Sequence, residues 1–386
     1  MHENIDVVEG AGQWDRARNF AVQEVAGSVA LRDREARWDG ALFGRLGAVG
    51  LLGAALPRAA GGEGLPVSML SELLGGFGEG SGDAGLALAW TAHISGCAAP
   101  LWRLGTEAQR LRFLPTLVRG DCVGALAHHE RLASACATGV RTIAARKGGR
   151  WILNGRKSWV VNGPVAGLFV VTAVTDAERG RDGISAFLLE RSTPGLSVGP
   201  RMATLGLRTA TIAELVLEDC EVFDEALLGA AGTGLTGTCR VIHRWERACL
   251  FAPWVGFMKT LLDRSIMHVR ERLRFGRPVS HSQAARAALA DMKIRLEMSL
   301  RMQARGAWRL GQDDDAGDLD IAVGAMYLAA SVDQVTRAAL QLHGLEGPEG
   351  DPLTERLYRD AALIAAIGGA VAVLRPVVAA ALLGLG

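Results

Sequence analysis

Apolar residues recur at three- and four-residue spacing through RARNFAVQEVAGSVALRD and WDGALFGRLGAVGLLGA, the period of helices with one buried face. Glycine and proline in LPRAAGGEGLP interrupt that pattern, and VSMLSELLGGFGEG resumes it. Thr106 is placed to cap a further helix, with Glu107 in its first turn. From about residue 121 to 230 the pattern shortens to apolar or alternating runs: GLFVVTAVT, GISAFLLER, GLSVGP and ATIAELVLEDCEVF. Within this stretch GRWILNGRKSWVVNG predicts strand, Asn-Gly turn, strand. Beyond residue 231 three long helical stretches return: 235–275, 282–310 and 320–344. The expected class is α+β. It comprises a helical domain over 1–120, a β-barrel or sandwich over 121–230, and a C-terminal four-helix bundle over 231–386.

Composition narrows the function more than the fold. At 49% hydrophobic and 22% charged, the 386 residues describe a globular chain with a large core. A formal net charge of +1 gives no global attraction to nucleic acid or anionic lipid. The six cysteines form no CxxC pair and no metal-like spacing with histidine, which fits a reducing cytoplasm. The N-terminus lacks the apolar core of a signal peptide. The apolar tail from Ala361 is interrupted at Arg375 and Pro376, short of the ~20 residues that span a bilayer. It is expected to be buried in the protein or in a subunit interface. The acidic run DDDAGDLD at 313–320 reads as a solvated loop rather than a metal site.

Six segments in order give the chain a family resemblance. They are LGAVGLLGAALPRAAGGEG, LWRLGTEAQRLRFLPTLVRGD, GRWILNGRKSWVVNG, LGLRTATIAELVLEDCEVFDEALLG, RERLRFGRPVSHSQAARAALADM and QLHGLEGPEGDPLTERLYRDA. Together they resemble the acyl-CoA dehydrogenase family across nearly the whole chain. The resemblance implies bound FAD and a homotetramer or at least a dimer. It also implies an acyl-CoA or acyl-carrier-protein thioester as substrate, and an electron-transfer flavoprotein or another electron acceptor. Such a reaction removes an α-proton and passes a β-hydride to the flavin, so it needs a carboxylate near the α-carbon.

Many members of that family carry their base near the C-terminus, where this chain has Gly368 in RDAALIAAIGGAV. Isovaleryl-CoA and long-chain members carry it in the first bundle helix before an arginine, which WERACLFAPWVG matches with Glu246. Arg272, Phe275 and Gln283 match the family's R-x-x-F-G…Q, implied to reach the FAD diphosphate and adenine across a dimer interface. Gln341 and Gly344 match Q-x-x-G-G, with Leu345 replacing the second glycine. Trp159 stands at the tryptophan of W-I-T-N beside the flavin, and Ser134 at the serine of a G-S-D turn that helps hold FAD or pantetheine.

The departures touch the flavin directly. His128 replaces the threonine whose hydroxyl reaches flavin N5, Val161 the threonine of W-I-T-N, and Ala370 that of E-G-T. His268 replaces a tyrosine. These losses point to a specialised substrate, such as a thioester tethered to a carrier protein. They also leave open a flavin monooxygenase or oxidase on the same fold, or a member that binds an acyl thioester or partner without catalysis.

Overall fold

A computed structural model describes residues 11–131, 139–312, 317–344, 352–367 and 371–384. The N-terminal part contains α1 (Ala11–Glu24), α2 (Ala26–Arg34), α3 (Gly40–Ala48), α4 (Val67–Ser81), α5 (Ala84–His93), α6 (Ala99–Leu104) and α7 (Glu107–Val118). The predicted cap at Thr106 forms a full capping box: its hydroxyl accepts from the Gln109 N–H while the Gln109 side chain accepts from the Thr106 N–H.

The middle part is one seven-stranded sheet of β1 (Gly124–Ala127), β2 (Ile143–Lys147), β3 (Arg150–Val161), β4 (Leu168–Val174), β5 (Ile184–Glu190), β6 (Leu196–Val198) and β7 (Ile212–Val222). β1 runs parallel to β4, while β4–β5, β2–β3, β3–β7 and β6–β7 are antiparallel. The hairpin turn is not at Asn154–Gly155, as the sequence suggests. Those residues lie within β3, at a register shift against β7. The chain reverses instead at Gly148–Gly149, both at positive φ, which lets Lys147 pair with Arg150.

The C-terminal part comprises α8 (Arg240–Cys249), α9 (Ala252–Glu271), the short hairpin β8 (Leu273–Arg274) and β9 (Arg277–Pro278), α10 (Gln283–Gln312), α11 (Gly317–His343), α12 (Pro352–Ile367) and α13 (Val371–Leu383). What reads in sequence as one long first helix is two. Pro253 has no N–H to continue the ladder and occupies the first turn of α9. Asp318 and Asp320 belong to α11 rather than to a loop, and their carboxylates pair with Arg240 and Arg244, and with Arg305 and Arg309. The rest of the acidic run, 313–316, lies outside the described residues. The tail is only partly buried within the chain: Ala361, Ile364 and Leu374 are buried, whereas Leu382 and Leu383 at the end of α13 are about 70% exposed. Among the described residues no helix is long and apolar enough to cross a membrane.

Two of the three larger cores meet at α8. One joins the N-terminal helices to the bundle through Phe77, Trp90, Trp254, Phe257 and Leu328. A second fills one face of the sheet with Trp151, Phe169, Phe187 and Leu215. A third holds Leu101, Leu114, Val170 and Leu188 between the helices and the other sheet face. From α8, Ile242 enters the third core, whereas Trp245 and Ala248 enter the first.

Candidate active site

Glu246 lies on α8, four residues before the helix yields to α9. Its side chain is partly exposed, and among the described residues it has no hydrogen-bond or ion-pair partner. Burial pushes its carboxyl up to about 7, against the opposing pull of the neighbouring Arg247. One helical turn earlier on the same face stands His243, held down to about 4 by burial and by the Arg247 charge.

Across from α8, the segment after β1 delivers His128. Its ring lies 6.5 Å from that of His243 and 5.3 Å from that of His129. Burial, followed by the influence of His129, Lys157 and His243, keeps His128 well below the usual histidine range, so it is neutral at pH 7. Its Nδ1 is 2.9 Å from the Thr172 hydroxyl on β4 and 3.7 Å from Cys239 Sγ. Beneath it Lys157, with no exposed surface, donates to Glu130 at 2.7 Å.

Trp159 lies beside this cluster, because the Ser158 N–H donates to the His129 carbonyl at 2.7 Å. It is not a core tryptophan. A register shift between Lys157 and Val160 places it at φ +58°, with its side chain 53% exposed. An exposed indole next to polar donors is a suitable surface for a flavin, an aromatic ring with polar edges. Val161, on the same strand, offers no hydroxyl.

The remaining predicted residues gather at the other end of the bundle. Arg272 closes α9, and Phe275 forms the tip of the β8–β9 hairpin, 96% exposed at φ +51°. Gln283 is the exposed first residue of α10. The end of α11, with Gln341 and Gly344, meets the end of α9 where His343 stacks on His268 at 4.4 Å. A guanidinium and two amides on an exposed edge suit a diphosphate and an adenine. The 20 residues of α9 separate this group from Glu246 by about 30 Å. Ser134, Gly368 and Ala370 lie outside the described residues.

Sequence reasoning passed over Thr172, Lys157 and His243. The signals were present: a lone hydroxyl within the apolar run FVVTAV, a lysine in a strand, and a histidine one turn from the proposed base.

The chain matches known proteins over most of its length. Residues 13–121, 125–220 and 236–383 match the models for the acyl-CoA dehydrogenase N-terminal, middle and C-terminal domains. The chain is 34% identical over 322 residues to an L-prolyl-[peptidyl-carrier protein] dehydrogenase of Pseudomonas fluorescens, covering 81% of this chain and 84% of that one. The structure of the prolyl acyl carrier protein oxidase AnaB superposes with a TM-score of 0.93 at 32% identity, covering 97% of this chain and 99% of that one. PigA with FAD and proline superposes with a TM-score of 0.94 at 26% identity over the whole of both chains.

Proposed function

The chain belongs to the acyl-CoA dehydrogenase family, and from that premise we propose that Glu246 is the base that removes the α-proton of its thioester substrate. The enzyme is an FAD-dependent oxidoreductase that converts an acyl thioester to its α,β-unsaturated product. The observation that carries the assignment of Glu246 is an unpartnered carboxylate, raised to about 7, one turn along α8 from the neutral His243, whose ring lies 6.5 Å from that of His128. A base with that affinity for protons is better matched to a weakly acidic α-carbon than an ordinary glutamate. Bound FAD supplies the acceptor for the β-hydride. Our reading has Trp159, His128 and Ser134 hold the isoalloxazine side. Arg272, Phe275, Gln283, Gln341 and Gly344 serve the diphosphate and adenine of the cofactor in a second copy of the chain. Their separation from Glu246 by the length of α9 supports that division and a homo-oligomer.

Two of the relatives are named for prolyl groups on carrier proteins, and we assign this chain the same substrate class. The five described cysteines stand as thiols, in accord with a cytoplasmic setting. Anaerobic mixing with prolyl and simple acyl thioesters, on CoA and on carrier protein, tests the reading. The flavin should bleach with the carrier-bound prolyl thioester. Glu246→Gln should keep its FAD and abolish bleaching; unimpaired reduction of that variant removes Glu246 as the base. Aerobic reoxidation of the bleached enzyme then separates oxygen from an electron-transfer flavoprotein as acceptor.

A further inference from the structure

The position of the proton on His128 follows from its neighbours. Lys157 Nζ donates to Glu130 at 2.7 Å, to the His128 carbonyl at 3.3 Å and to Thr172 Oγ1 at 3.4 Å. Each of its three protons therefore has an acceptor. Thr172 has no exposed surface, and its hydroxyl, already accepting from Lys157, has one proton of its own to give. The atom in position to take that proton is His128 Nδ1, at 2.9 Å. Cys239 Sγ, 3.7 Å from the same nitrogen, is a second potential donor to it. A proton on Nδ1 would leave the Thr172 hydroxyl hydrogen without an acceptor among the described residues, a costly state for a fully buried group. Nε2, in contrast, has no partner among the described residues.

We propose that the Lys157–Thr172–His128 chain holds His128 in the tautomer protonated on Nε2, and that this N–H donates a hydrogen bond to an acceptor atom of the bound isoalloxazine. The proposal rests on the FAD-dependent reading above. It adds the location of the proton and makes Thr172 and Lys157 positioning residues that act through His128. A neutral imidazole thus supplies the donor that a hydroxyl supplies in the family pattern. The ring stays neutral among His129, His243 and Lys157, with Glu130 already engaged by Lys157 and with Glu246 and Arg247 on the α8 side.

The test uses purified holoenzyme, with the visible spectrum of oxidised FAD and the FAD dissociation constant as readouts. His128→Ala and Thr172→Val should both shift the flavin band and weaken FAD binding about tenfold. Thr172→Ser keeps the hydroxyl, and His128→Gln keeps an N–H near the position of Nε2. Both should retain the wild-type spectrum and affinity. A Thr172→Val enzyme with wild-type spectrum and affinity overturns the proposal, as does a Thr172→Ser enzyme that behaves like Thr172→Val. If Thr172→Val does not fold, the His128→Ala and His128→Gln pair decides alone: equal behaviour overturns the proposal. Wild-type protein that takes up no FAD defeats the parent reading instead. Wild-type protein that binds and bleaches, with an unchanged His128→Ala flavin, defeats only this one.

Discussion

Lys157 and Glu130 form an ion pair at 2.7 Å in which the lysine is fully buried and the glutamate side chain is 7% exposed. Glu130 also accepts from the Arg141 and Thr142 N–H groups and from the Thr142 hydroxyl, so one carboxylate ties together the two ends of the segment from residue 130 to 142.

Lys157→Met, which removes one partner of this buried pair, should therefore cost about 3–5 kcal/mol, read as a lower urea midpoint. Burial works to raise the Glu130 pKa, but the Lys157 charge and the Thr142 bonds overcome it and hold the group below the usual range. The stability it contributes is present above the unfolded value near 4.5. It is lost as pH falls through the lower folded value.

For Glu246 the sign is opposite. Its folded pKa is raised to about 7, so ionising it costs the folded state more than the unfolded one. Glu246→Gln should be inactive yet about 1–3 kcal/mol more stable than wild type at pH 8, with the gap closing as pH falls towards 4.5. Denaturation curves at the two pH values check this. The wild-type rate of flavin reduction should rise with pH through about 7 and then level off, because the base must first lose its proton.

Arg32 and Asp83 pair at 2.8 Å, each about 1% exposed, and Asp83 also caps α5 and accepts from the Thr209 hydroxyl. This contact fastens α2, α5 and the segment before β7. Arg32→Met strands the aspartate and should destabilise by about 3–5 kcal/mol in thermal or chemical unfolding.

The contact between α4 and α9 depends on backbone proximity. A Cβ on Gly256 would overlap the Gly75 carbonyl and the Glu79 N–H, and one on Gly78 would overlap the Pro253 carbonyl. Gly256→Ala should cost about 3 kcal/mol, seen as a lower melting temperature, because two helices must move apart.

The order helical, strand, helical was legible, because a helix face and a strand face impose different spacings on apolar residues. The turn was not. Asn154–Gly155 has favourable turn chemistry, but β7 pairs along the whole of β3 and takes up the glycine as an irregularity. Glu246 stands out in the sequence as a candidate base through its neighbours in WERACLFAPWVG. Its isolation does not, since the lack of a partner depends on how α8 meets the segment after β1. Likewise, nothing local distinguishes Thr172 from other strand threonines. Its role depends on a lysine 15 residues earlier and a histidine 44 residues earlier.

The length of α9 carries a genetic consequence. If the residues at its two ends serve different cofactors, two broken genes can repair each other. Co-expressed in equal amounts, Glu246→Gln and Arg272→Ala subunits would form mixed pairs in which one cleft has both an intact carboxylate and an intact guanidinium. About a quarter of normal turnover should return from two parents that have little alone. Subunits that each serve only themselves would show no such rescue.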